Sequence, residues 1–140
     1  MTHTDTVVVD ANLVMYAATT PRGFAPFSGR RLVGPPLLAS EFRAVLHLAL
    51  WAGRIHQGNA GRAFDAVFRN GSVEFIDHPS LGDEAWRIAD EMGWGRTYDA
   101  EYLALAHLLD CNLVTSDLRL RRGAERTGRV LTPDELLAGP

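Results

Sequence analysis

A three-layer α/β/α domain around a mostly parallel central sheet of four to five strands is the fold expected from two patterns. Short β-branched runs alternate with segments of helical periodicity along the whole chain. Acidic residues fall where several of those runs stop. Strands separated by helices pair in parallel, because parallel neighbours need a crossover between them, and the crossovers cover both faces of the sheet. The crossovers are expected to be right-handed. The chain has 140 residues, 46% hydrophobic and 22% charged, which suits one domain over residues 1–140.

Thr6-Val7-Val8-Val9, stopped by Asp10, predicts a buried strand. Residues 12–18 predict a short helix. Pro21, Gly23, Pro26, Gly29, Gly34, Pro35 and Pro36 punctuate residues 19–36, which predicts a loop with at most one short helix. Leu37-Leu38-Ala39 predicts a very short second strand, and Ser40 an N-cap for a helix over 41–52. Phe42, Val45, Leu46, Ala49 and Leu50 fall at helical spacing there, and Gly53 ends the run. A further helix is expected over 58–69, with Ala63, Ala66 and Val67 inward. Residues 73–76 predict a third strand. Ser80 is placed to cap a helix running to Met92, with Asp83 near its positive end. Gly93 and Gly95 break the chain, and Thr97 is placed to cap a helix over 98–109. Residues 112–115 predict a fourth strand, a short helix follows Ser116-Asp117, and 129–131 predict a fifth strand. Thr132-Pro133-Asp134-Glu135 is a helix start with a cap, a proline in first position and a glutamate in third.

Composition excludes several chemistries. All 14 basic residues are arginine. Without a lysine there is no Schiff base and no Walker A loop. Phosphate-receiver domains and haloacid-dehalogenase-like phosphatases, which set a lysine beside their aspartates, lose support for the same reason. One cysteine, Cys111, rules out an internal disulfide and a cysteine-based zinc site. Met1–Asp5 lacks a basic stretch followed by an apolar one, so no secretory signal is expected. No apolar run approaches the ~18 residues of a membrane span. A net charge of −3 speaks against a strongly basic nucleic-acid clamp.

The placement of acids is more informative. Asp10 follows the first expected strand, Glu41 comes two residues after the second, and Asp117 comes just after the fourth. In a parallel sheet all carboxyl ends share one edge, where ligands bind. Asp99 opens the 98–109 helix on the side of Leu103 and Ala106. Two unit charges ~4 Å apart repel by about 4 kcal/mol at an effective dielectric near 20. A divalent cation removes that repulsion, and an all-oxygen donor set favours Mg²⁺ or Mn²⁺ over Zn²⁺. Such ions lower the pKa of bound water and orient it for attack on a phosphodiester. Each acid also has a plainer reading. Glu41 and Asp99 sit in expected first turns, where any acid is favoured, and Asp117 suits a turn. Asp10 after a valine strand is harder to explain that way.

These pieces resemble a PIN domain, and within that superfamily a VapC-type toxin ribonuclease. The resemblance is carried by Val7-Val8-Val9-Asp10-Ala11-Asn12, Ser40-Glu41-Phe42, Tyr98-Asp99-Ala100-Glu101-Tyr102-Leu103-Ala104-Leu105-Ala106 and Leu113-Val114-Thr115-Ser116-Asp117, and covers about residues 6–135. No piece is specific alone; the ordered set of four is. The resemblance implies a PIN-like fold and a Mg²⁺- or Mn²⁺-dependent endoribonuclease with Asp10, Glu41, Asp99 and Asp117 as its acidic, metal-holding quartet. It also implies a cytoplasmic homodimer restrained by a small VapB-type antitoxin. Many relatives carry a further acid two residues after the last aspartate. Arg119 stands there in this chain, so one tightly held ion is expected rather than two.

Supporting roles fall to Asn12, which could orient a carboxylate or cap the first helix, and to Thr115 and Ser116, beside the metal shell or, for Ser116, as a cap. Arg96, Arg119, Arg121 and Arg122 flank the expected edge and could meet RNA phosphates or line a solvated helix face. Arg22, Arg30 and Arg31 in the loop read the same way. His47 and His107 read as core-edge histidines, and His3, His56 and His78 have no ligand spacing. Trp51, Trp86 and Trp94 read as packing residues, Trp94 alternatively as a base-stacking one, and Cys111 as a buried thiol. Three further functions compete with the toxin: a housekeeping RNA-processing PIN nuclease, a non-catalytic PIN-like module binding RNA or protein, and a phosphatase- or nucleotide-binding domain of another family. The absent lysine and absent glycine-rich phosphate loop oppose the last.

Overall fold

A computed structural model describes residues 5–138. Most of the stretch Met1–Asp5, read for a leader, and His3 with it lie outside the described residues. The sheet has five strands, all parallel, in the order β3-β2-β1-β4-β5. β1 (Thr6–Val9) is central, between β2 (Arg31–Gly34) and β4 (Asn112–Val114); β3 (Glu74–Phe75) and β5 (Val130–Leu131) form the edges. Val7, Val8 and Val9 are all buried, as a central parallel strand covered on both faces requires. The chain builds outward through β2 and β3, then returns across β1 to lay down β4 and β5. The reversal falls between β1 and β4, and a crevice is expected beyond their carboxyl ends, where the two outgoing connections part.

Seven helices complete three layers. α1 (Ala11–Thr19), α2 (Pro36–Trp51) and α3 (Gln57–Phe68) pack together; α4 (Leu81–Met92) packs along α5 (Tyr98–Leu108), which lies against β1 and β4. α6 (Leu118–Gly123) and α7 (Pro133–Ala138) are short. Ala100 and the run Tyr102–Ala106 are buried all round, so α5 is an interior helix sealed by α4. The ring of Phe68 lies 5.7, 4.7 and 5.8 Å from those of Phe42, Phe64 and Phe75, tying α2 and α3 to β3. Each such contact contributes about 0.5–1.5 kcal/mol beyond burial. Phe42 is fully buried, which fixes the rotation of α2 and so the position of Glu41 beside it.

Two expectations need correcting at β2. The strand lies at Arg31–Gly34, inside the stretch expected to be loop, and Leu37-Leu38-Ala39 belongs to α2. Pro35 is the N-cap of α2 and Pro36 its first residue, where a missing N–H costs nothing and a fixed φ helps. Gly34 permits the abrupt strand-to-helix turn: a Cβ there would stand 2.2 Å from Leu38 Cδ2. Ser40 is therefore a helix-interior residue, not a cap. Ser80 and Thr97 sit at the N-cap positions of α4 and α5 without a side-chain capping bond. The cap of α6 is Asp117, not Ser116. At α7 the expected box is complete: Thr132 N–H donates to Glu135 Oε1 (3.0 Å) and Glu135 N–H to Thr132 Oγ1 (3.1 Å).

Outside the core, His47 and His107 are exposed rather than at the core edge, because the apolar stripes of α2 and α5 pass beside them. His107 Nδ1 lies 2.9 Å from Glu84 Oε1. Trp51 and Trp86 are 78% and 73% exposed, so neither packs as expected; Trp94 is half-buried against the core, and Cys111 is buried. Among the described residues no helix is long and apolar enough to cross a membrane.

Candidate active site

β1 and β4 end side by side, with Val9 paired to Val114. The next residue of each strand, Asp10 and Thr115, therefore emerges at the same level of the crevice. Asp10 is the N-cap of α1: its Oδ1 accepts from Leu13 N–H at 2.9 Å. That is a structural role the sequence did not reveal for it. Capping occupies one oxygen and leaves Oδ2, which accepts from the Thr115 hydroxyl. Thr115 is wholly buried, and its Oγ1 in turn accepts from Asp117 N–H at 3.0 Å. One hydroxyl thus ties the end of β1 to the turn after β4. Asp117 repeats the pattern of Asp10. Its Oδ1 caps α6 by accepting from Arg119 N–H (2.9 Å) and Leu120 N–H (3.2 Å), and Oδ2 is left toward the pocket.

The remaining two acids arrive on helices. Asp99 lies in the first turn of α5. Glu41 lies in the second turn of α2, because the helix begins at Pro36; the helix-dipole explanation offered for it lapses there, since that effect fades within the first turn. Glu41 Oε1 instead accepts from the hydroxyl of Tyr102, a buried residue of α5. Sequence periodicity reads Tyr102 only as core. The available signal was its hydroxyl, since a tyrosine on an inward stripe needs a polar partner.

Electrostatics link the group. The Asp10 carboxyl is pushed above its usual range, chiefly by burial and further by the charges of Asp117 and Asp99, against the opposing bonds from Thr115 and Leu13. Glu101, beside Asp99 in α5, is raised by burial and by the charge of Glu41. The Tyr102 phenol is held neutral by burial, by its bond to Glu41, and by the charges of Glu41, Asp10 and Glu101. Asp10, Glu41, Asp99, Glu101 and Asp117 therefore form one repelling neighbourhood. Its donors are all oxygen, and its most buried carboxyl is reluctant to ionise until a cation is present, which fits a hard dication such as Mg²⁺ or Mn²⁺. The side chains do not yet form a cage. Among the described residues no three His, Cys, Asp or Glu groups are disposed to hold one ion. Glu41 is turned to Tyr102, and the Arg119 guanidinium lies between Asp99 and Asp117, its Nη2 3.5 Å and 3.6 Å from their Oδ2 atoms.

The supporting residues divide. Thr115 is built into the pocket. Asn12 is exposed and does not cap α1, a position Asp10 holds. Ser116 is exposed and lines an open groove of about 910 Å³ beside the acids, with Leu13, Tyr16, Phe27, Leu118 and Leu137. Arg96 and Arg122 are exposed. Arg121 is committed elsewhere, its guanidinium making two 3.1 Å bonds to Glu135, and Arg31 pairs with Glu74 across β2 and β3.

The sequence model of the family described as PIN domain matches residues 7–126. Over 116 residues the chain is 34% identical to a VapC ribonuclease of Mycobacterium bovis and to Ribonuclease VapC9 of Mycobacterium tuberculosis, covering 81% of this chain and 87% of each relative. The structure resembles the crystal structure of PAE2754 from Pyrobaculum aerophilum with a TM-score of 0.75 and 26% identity, over 97% of this chain and 94% of that one.

Proposed function

Because the chain belongs to the PIN domain family, we propose that it is a metal-dependent endoribonuclease hydrolysing RNA phosphodiester bonds, the toxin of a VapBC-type pair. The observation that supports this most is the convergence of Asp10, Asp117 and Asp99 on the β1–β4 crevice, where the charges of Asp117 and Asp99 act on the half-buried Asp10 carboxyl. Asp10, Asp99, Asp117 and Glu41 would hold one Mg²⁺ or Mn²⁺. When bound, such an ion would supply a lowered pKa to a bound water and positive charge against the phosphate oxygens.

The chain's own residues do the rest. Thr115 holds Asp10, and Tyr102 holds Glu41, so two carboxylates are restrained before substrate arrives. The groove lined by Tyr16, Phe27 and Ser116 offers apolar surface for bases. The exposed Arg96 and Arg122 are available to phosphates, while Arg121, bound to Glu135, is not assigned that role. The family relationship further supports a single domain acting in the cytoplasm as a homodimer, with a small VapB-type antitoxin as partner. The exposed Leu48 and Trp51 of α2 give such a partner or second copy an apolar surface.

Cleavage of a mixed RNA by the full chain with Mg²⁺ or Mn²⁺, with EDTA, and by Asp10→Asn tests this. EDTA is expected to silence cleavage, and Asp10→Asn to lower it at least about 100-fold. Activity surviving both would remove the proposed chemistry; a folded protein inactive on RNA with every ion would point to the non-catalytic module. A second readout shows that the variant folds. The Asp10 carboxyl is raised in the folded protein, so it favours folding when protonated, below its unfolded value, and loses that contribution as pH rises through the folded value. Asparagine also caps helices and never ionises. In EDTA at pH 8, Asp10→Asn is therefore expected to melt no lower than the parent, with the difference growing as pH rises from the unfolded value near 3.8.

A further inference from the structure

We infer that Arg119 is a tethered cation that occupies the acidic pocket in the absence of metal and that a divalent ion must displace to bind; this rests on the metal-site reading above. The guanidinium Nη2 stands 3.5 Å from Asp99 Oδ2 and 3.6 Å from Asp117 Oδ2, joining two acids that come from different elements. Its backbone is pinned to the same place, since Arg119 N–H donates to Asp117 Oδ1 at 2.9 Å. Asp117 thus holds the arginine by its main chain with one oxygen and faces the arginine's charge with the other.

The neighbouring arginines show that this is not a general property of α6. Arg121 is bound through two nitrogens to Glu135, and Arg122 is exposed. Arg119 alone of the three faces the acids. Its side chain is 76% exposed and makes two long, solvent-screened pairs, the kind of contact that holds weakly and releases readily. A buried arginine at this place would block the pocket, and a distant one would not affect it. This one offsets part of the repulsion among Asp10, Asp99 and Asp117 while no ion is present. It then leaves when a doubly charged competitor arrives, because guanidinium and dication repel each other at the same oxygens. The released guanidinium lies at the mouth of the pocket, where an anionic substrate reaches it.

Two consequences distinguish a competing charge from a strut. Removing the charge while keeping the length, in Arg119→Met, should tighten Mn²⁺ binding to the EDTA-stripped full chain by about tenfold, as a unit charge roughly 6 Å from a dication in a water-like dielectric implies. Arg119→Lys keeps the charge and should bind Mn²⁺ within about twofold of the parent. Titration calorimetry, or the Mn²⁺ electron paramagnetic resonance signal, reads both without reference to RNA cleavage. Circular dichroism verifies that the exposed substitutions leave the fold intact. Thermal melts add a matching readout: in EDTA at pH 8 Arg119→Met should melt below the parent, and saturating Mn²⁺ should raise it by more than it raises the parent. If the parent binds Mn²⁺ and Arg119→Met binds it equally or more weakly, the displacement is wrong while the metal site stands. Equal tightening by Arg119→Lys and Arg119→Met would likewise overturn it, because charge would then be irrelevant. Absence of Mn²⁺ binding by parent and variant alike would overturn the site and this inference together.

Discussion

Asp10 and Glu41 reach the pocket already engaged, one by the Thr115 hydroxyl and the other by the Tyr102 hydroxyl, whereas Asp99 and Asp117 face each other across an exposed arginine. The inner pair is held by groups that are buried and short in reach, just after β4 and in the interior helix α5. In the outer pair Asp117 caps α6 with Oδ1, but the Oδ2 atoms of both acids face solvent-screened charge. The contrast separates two jobs that a metal pocket has to combine. An ion needs at least two ligands fixed beforehand, so that ordering them does not weaken binding. It also needs a side from which a competitor can leave and the ion can come in. Here Asp10 and Glu41 make a fixed flank of the pocket and Asp99 with Asp117 a yielding one, and Arg119 lies between the two acids of the yielding flank.

Thr115→Val tests the fixed flank hardest. Valine keeps the shape but removes the donor to Asp10 Oδ2 and the acceptor for Asp117 N–H. Orienting partners of metal ligands are typically worth 10–100-fold in affinity or activity, and a fall of that size in Mn²⁺ affinity and in single-turnover cleavage is expected. Unchanged affinity would mean that Asp10 is aimed by its capping bond to Leu13 alone, and the distinction between the two flanks would fail.

Tyr102→Phe should do less. It frees Glu41 without unpairing any backbone group, and phenylalanine fills the same buried space. The lost bond corresponds to about 1 kcal/mol, so a three- to tenfold loss of cleavage with little change in melting temperature is expected. An effect as large as that of Thr115→Val would move Glu41 from one ligand among four to the organising one.

How much of this was legible beforehand follows from which information is local. β-branched runs that stop at an acid mark strand ends, and so Asp10 and Asp117 were placed correctly along the sheet. Glu41 was placed on the right helix for the wrong reason. The sequence places the proline pair at the end of a loop, whereas it starts α2, and Gly34, which resembles loop punctuation, ends β2. Prolines and glycines do end elements, but here they sit on the boundary itself rather than between elements, and only the parallel pairing with β1 distinguishes the two cases. Tyr102 and Arg119 depend on non-local facts. The partner of Tyr102 is 61 residues earlier in the chain. Which of Arg119, Arg121 and Arg122 turns to the acids depends on the rotation of a six-residue helix too short to show a stripe.

That rotation is itself held from outside the pocket, which yields the smallest expected effect. Arg121 on α6 is clamped by Glu135 on α7, and Glu135 also closes the capping box with Thr132. Hydrogen bonds from Arg121 and Thr132 draw its carboxyl down to about 2. A carboxyl lowered on folding stabilises the fold at pH values above its unfolded value near 4.5 and loses that contribution as pH falls toward 2, opposite in sign to Asp10. Glu135→Gln should therefore melt slightly below the parent at pH 7, with the gap narrowing as pH drops through 4 and closing near 2. The group is exposed, so the shift should be small and should shrink further in high salt. Cleavage and Mn²⁺ affinity are expected to stay within about twofold, because α6 is also held by the Asp117 cap. A larger loss of Mn²⁺ affinity would show that the yielding flank takes its geometry from α7, and that Asp117 is positioned by a surface ion pair rather than by the end of β4.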